Sequence, residues 1–170
     1  MRAILGTIAL EPRRWTAFKE PATDVIQVMP QIASHGFDKL EVWQWHVSLR
    51  PLAAVRALKA KGDECGVSFP YIGVYPRFVD AGLEWHEQER LLFGVLDRAE
   101  VLGAAGLKIF LGAGLKGGEA TDEQVALTAD RFGQWYRAAR ERGLGVCVEL
   151  HGNTMFDPTE AGEAFMQRYP

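Results

Sequence analysis

With 170 residues, 48% of them hydrophobic, the chain has the length of one domain and enough apolar material for a sizeable core. Its 19 basic and 22 acidic residues leave a formal net charge of -3 with no run of like charge, which argues against a nucleic-acid partner. No apolar run approaches the roughly 20 residues that cross a bilayer. Cys65 and Cys147 form no metal or redox spacing, and the N-terminus offers no small-residue cleavage site, so a reducing cytoplasm is the expected compartment and no membrane partner is expected.

Residues 3–9 read as a first strand running into Glu11-Pro12-Arg13-Arg14. Residues 23–34 follow as a helix that Pro30, lacking an amide donor, kinks or delays. Gly36 closes it, since a helix end commonly needs a left-handed residue, and the run 39–45 is the second strand. Leu52, Val55 and Leu58 mark a second helix ended by Gly66, and 69–75 form the third strand. Leu91, Leu92, Val95, Leu96, Ala99 and Leu102 give a third helix, with Gly106 before a fourth strand over 107–111. Thr121-Asp122-Glu123-Gln124 reads as a capping box, after which Val125, Ala129, Phe132, Tyr136 and Ala139 recur at helical steps. Gly143 and Gly145 then lead into a fifth strand over 146–150, and Asp157-Pro158-Thr159-Glu160 has the form of one more helix start.

Alternating strands and helices imply an α/β fold with a parallel sheet and right-handed crossovers. Length alone favours an open doubly wound sheet, because a full barrel takes about 250 residues. In either architecture ligands bind where the strands end.

Few strand ends are polar. In the fifth strand Cys147, Glu149 and His151 share one parity, so the carboxylate and the imidazole point the same way, an arrangement suited to holding a divalent cation or moving a proton. The alternative is a rim carboxylate held by a neighbouring Lys or Arg, with His151 as a hydrogen-bonded loop residue. In the second strand Glu41, Trp43 and Trp45 share a face, with His46 just beyond. They form either a stacking wall for a small polyol or a bulky core. Lys108, the one cation inside the fourth run, would most simply pair with Glu41. The Gly-rich stretch from Phe110 to Gly118 lacks the spacing of a phosphate-binding loop and reads as a long turn.

Gly36-Phe37-Asp38-Lys39-Leu40-Glu41-Val42-Trp43, Ala104-Ala105-Gly106-Leu107-Lys108-Ile109-Phe110 and Val148-Glu149-Leu150-His151-Gly152-Asn153-Thr154 together resemble the xylose isomerase-like TIM barrel superfamily. The pattern is most similar to its sugar phosphate isomerase/epimerase group, which includes hydroxypyruvate isomerases, inosose dehydratases and ketose epimerases. The resemblance favours a TIM-type (β/α) barrel over the open sheet, with residues 1–170 covering the first five βα units as one partial-barrel domain. It implies metal-assisted proton transfer next to a carbonyl of a small sugar or hydroxy acid. Glu149 takes the position of the family's metal-binding, proton-transferring glutamate, His151 and Thr154 match the polar positions that follow it, and Glu41 and His46 lie where family members line the substrate pocket, with Trp43 as the stacking candidate beside them.

The family's further metal ligands, an Asp, a His and a second Glu, come from strands six to eight, so the resemblance implies weak or absent binding of Mn, Mg, Co or Zn by these 170 residues. A truncated sequence, or a half-barrel that associates through its open edges into a homo-oligomer, is the accompanying expectation. A non-catalytic fragment is the rival reading. The abasic-site endonucleases of the same superfamily need histidines where Val74-Tyr75-Pro76 and Leu111-Gly112-Ala113 stand, and are disfavoured.

Overall fold

The computed structural model describes residues 3–14, 20–111, 119–152, 154–157 and 159–167. Five strands pair in chain order within one sheet, β1 (Leu5–Gly6), β2 (Lys39–Trp43), β3 (Ser68–Val74), β4 (Gly106–Phe110) and β5 (Gly145–Glu149). β1, β2 and β3 run parallel, with Leu5 opposite Leu40 and Val42 opposite Ile72. This sequential order decides between the two architectures. A doubly wound sheet reverses direction at a switch point, whereas a barrel lays each new strand beside the last.

The helices are α1 (Val25–Ser34), α2 (Trp45–Ser48), α3 (Leu52–Cys65), α4 (Gly82–Leu102), α5 (Asp122–Glu141) and α6 (Thr159–Met166). None of the described helices is long and apolar enough to cross a membrane. Asp24 caps α1 by accepting the Ile26 amide at 3.1 Å, and Pro30 is carried inside this helix. Thr121 and Gln124 form the reciprocal capping box at the start of α5. Gly66 closes α3 in the left-handed region (φ 70°), as its position implies.

Several boundaries differ from the sequence reading. The first strand is two residues long, because the chain turns at Thr7–Leu10 into a 3-10 helix closed by the Glu11 amide on the Ile8 carbonyl. The second strand ends at Trp43, and Trp45 opens the unforeseen α2, so Trp45 does not share a strand face with Glu41 and Trp43. The glycine that turns the chain after α4 is Gly103 (φ 68°), while Gly106 is already the first residue of β4. The last helix is described over Thr159–Met166, and the expected start at Pro158, like residues 112–118 of the Gly-rich stretch, lies outside the described residues.

The chain divides into two compact units. In the first, residues 1–73 with 94–107, the alternate strand residues Leu40, Val42, Ile72 and Leu107 are buried with Met29, Val55 and Leu58 from α1 and α3. Arg98 of α4 reaches the carbonyls of Val47 (2.7 Å) and Arg50 (2.8 Å), satisfying acceptors at and just past the C-terminal end of α2. In the second, residues 74–93 with 108–170, Phe78, Phe132, Trp135, Phe156 and Phe165 make the core. There the Arg131 guanidinium lies 3.9 Å over the Trp85 ring and donates to the carbonyls of Phe78 and Asp80.

Candidate functional site

In the second unit the ends of β4 and β5 bring chemistry together. Along β4, Ile109 is buried while Lys108 and Phe110, on the opposite parity, remain partly accessible. Lys108 Nζ lies 2.7 Å from Glu149 Oε2, the two side chains being 24% and 36% exposed. Nζ is also 5.6 Å from the centre of the Phe110 ring. Phe110 stacks on Tyr75 (4.8 Å between centres, 25° between planes) and meets the His151 ring at 5.4 Å. Lysine, carboxylate and three rings thus form one partly open surface.

The residues after β5 are arranged by local hydrogen bonds. His151 Nδ1 donates to the Gly152 carbonyl at 2.7 Å, which places the lone pair of a neutral ring on Nε2. The buried Thr154 hydroxyl donates to the His151 carbonyl at 2.7 Å and so holds the turn. β5 ends at Glu149, so His151 and Thr154 belong to the turn after the strand and the strand parity expected for Glu149 and His151 does not reach His151. Glu149 is held by a nearby lysine and His151 sits in a hydrogen-bonded loop, both features of the alternative reading.

The remaining candidates belong to the first unit. Glu41 lies within β2, opposite Gly6 and Tyr71. Trp43 is buried at the end of β2, its amide donating to Thr7 Oγ1 at 2.8 Å and its ring meeting His46 edge-on at 5.6 Å. His46 is 1% exposed and has both ring nitrogens engaged, Nδ1 with Thr7 Oγ1 at 2.9 Å and Nε2 with Glu11 Oε1 at 2.8 Å. Glu11, itself 2% exposed, also accepts the amides of Ala22 (2.8 Å) and Thr23 (3.0 Å).

Burial pushes the Glu11 carboxyl up, but the Ala22 amide, His46 and the Thr23 amide outweigh it and hold Glu11 below its ordinary value. Burial holds His46 below its own ordinary value despite the attraction of Glu11. His46 thus centres a buried relay rather than facing open space. Sequence reasoning missed Glu11 and Thr7. The only signal was a polar Thr inside an apolar run just ahead of an acidic residue.

A divalent ion of the kind implied for Glu149 does not fit the donors present. Among the described residues no group of three or more His, Cys, Asp and Glu side chains is placed to hold one. The ammonium already on Glu149 would repel a dication bound to the same carboxylate, by several kcal/mol at about 4 Å even with an effective dielectric of about 20.

No family model matches the sequence, and no curated protein matches it. Solved structures do. The D-psicose 3-epimerase of Clostridium cellulolyticum H10, solved with D-tagatose, superposes with a TM-score of 0.76 at 16% identity over 99% of this chain and 60% of its own. The 3-keto-D-glucoside 4-epimerase of E. coli gives 0.75 at 14% identity over 99% of this chain and 64% of its own. A xylose isomerase-like TIM barrel protein from Mycobacterium smegmatis, in complex with magnesium, gives 0.73 at 14% identity over 98% and 60%. The fold is an α/β TIM-type barrel fold, represented by its first five βα units. More particularly, its arrangement of strands and helices is similar to that of the two sugar epimerases above. The chain spans about three-fifths of the length of these structures.

Proposed function

We propose that the protein is a sugar isomerase/epimerase-like enzyme that transfers a proton next to the carbonyl of a small sugar or hydroxy acid, with Glu149 as the base. The observation that carries this reading is the partly exposed Glu149 carboxylate at the end of β5, beside Lys108 of β4, in a fold that sugar epimerases also use. Glu149 removes the proton from the carbon next to the carbonyl. The C–H bond breaks, its electron pair forms the enediolate, and the negative charge falls on the former carbonyl oxygen. Lys108, paired with Glu149, brings positive charge beside that oxygen. Return of the proton to the adjacent carbon, with the hydroxyl proton passing to the former carbonyl oxygen, exchanges carbonyl and hydroxyl, whereas return to the same carbon from the other face, by a second group, inverts it. The His151 imidazole, with its lone pair on Nε2, accepts a substrate hydroxyl.

The test is deuterium wash-in from D2O into a panel of small ketoses and hydroxy-keto acids, followed by NMR. Exchange that falls at least about 100-fold in Glu149→Gln supports the reading. No exchange into any member of the panel overturns it.

A further inference from the structure

The fold raises the expectation of a metal at Glu149, and the residues around that carboxylate disagree with it. Glu149 Oε2 already accepts from the Lys108 ammonium at 2.7 Å. Among the described residues no three-donor group stands ready for an ion. The same ammonium lies 5.6 Å from the Phe110 ring centre, against which Tyr75 and His151 are packed. A fixed cation beside an aromatic face matches a ligand that carries oxygens on one side and a C–H skeleton on the other.

We propose that Lys108 supplies, from within the chain, the positive charge that a divalent ion would otherwise bring to Glu149. The site thereby binds an α-hydroxycarbonyl compound without metal, its oxygens on Lys108 and its carbon skeleton on Phe110 between Tyr75 and His151. The ligand class rests on Glu149 being the proton-transferring group. The replacement of metal by lysine does not.

Manganese binding, read by electron paramagnetic resonance of the free ion, decides the matter. Wild type and Glu149→Gln are expected to bind Mn2+ equally weakly, within a factor of about two, because Glu149 is already compensated. Lys108→Met is expected to bind at least about threefold more tightly, with Lys108→Arg like wild type and the double variant Lys108→Met/Glu149→Gln reverting. Wild type binding manganese tenfold more tightly than Glu149→Gln overturns the proposal, and this comparison needs no Lys108 variant to fold. Deuterium exchange into the ketose panel that persists in EDTA supports it. Exchange that appears only with manganese overturns it while leaving the isomerase reading intact. Absence of exchange in every condition defeats the isomerase reading, and the manganese comparison still decides the role of Lys108.

Discussion

The Nε2 atom of His46 lies 2.8 Å from Glu11 Oε1, joining two side chains 35 positions apart that are almost completely shielded from water. Through Glu11 the pair reaches the amides of Ala22 and Thr23, just ahead of α1, and through Thr7 it reaches the amide that ends β2. One carboxylate therefore ties together a 3-10 turn, a loop and a short helix.

Glu11→Ala leaves the His46 ring and two amides without an acceptor. Each buried donor so abandoned costs about 1–3 kcal/mol, and several act together here, so a loss of about 3 kcal/mol is expected. A urea unfolding midpoint lowered at unchanged slope would record it. Glu11→Gln keeps one acceptor oxygen and is expected to lose less.

Stability should fall on acidification in two stages. Folded His46 resists the proton that the unfolded chain accepts near the ordinary value of 6.5, so the unfolded state binds more protons and stability declines as pH drops below that value. Glu11 is held below its ordinary 4.5, so its contribution is complete above that value and is lost as pH falls towards its lower folded value. Thermal unfolding scans from pH 7 to pH 4 are expected to show a decline that begins near pH 6.5. His46→Gln is expected to be less stable throughout but flatter across the first stage.

Gly62 has no room for a side chain. A Cβ there would stand 2.5 Å from Phe69 Cε2 and 2.7 Å from the Val67 carbonyl oxygen, and the backbone atom cannot swing away. Overpacking of this kind costs about 1–3 kcal/mol, more than the roughly 1 kcal/mol that alanine gains over glycine inside a helix. Gly62→Ala is therefore expected to lower the melting temperature, whereas a generic helix glycine would raise it.

Lys108→Met and Glu149→Gln should both fold. Their side chains are 24% and 36% exposed, and ion pairs open to water in this way are worth at most about 1 kcal/mol. Near-wild-type circular dichroism and melting are the expected result, so that a change in exchange chemistry or manganese affinity in these variants reports on the site itself.

What the sequence by itself determined was local. The capping box at Thr121, the left-handed Gly66 and the helical spacing of Val55 and Leu58 are set by interactions within four or five residues, so each is legible in the residue order alone. The recurrence of helix, glycine and apolar run likewise marked the alternation of strands and helices along the chain, and the family resemblance pointed to the barrel. What only the tertiary structure decided were the partners. Trp45 left the strand because the chain turns into α2 once the Gln44 amide has found the Gly73 carbonyl. Lys108 joined Glu149, and His46 was drawn into a relay with Glu11 and Thr7, because strand pairing and burial brought together groups 35 to 41 positions apart. A polar side chain taken out of water must find a partner wherever the fold offers one, and no periodicity in the sequence says where that will be.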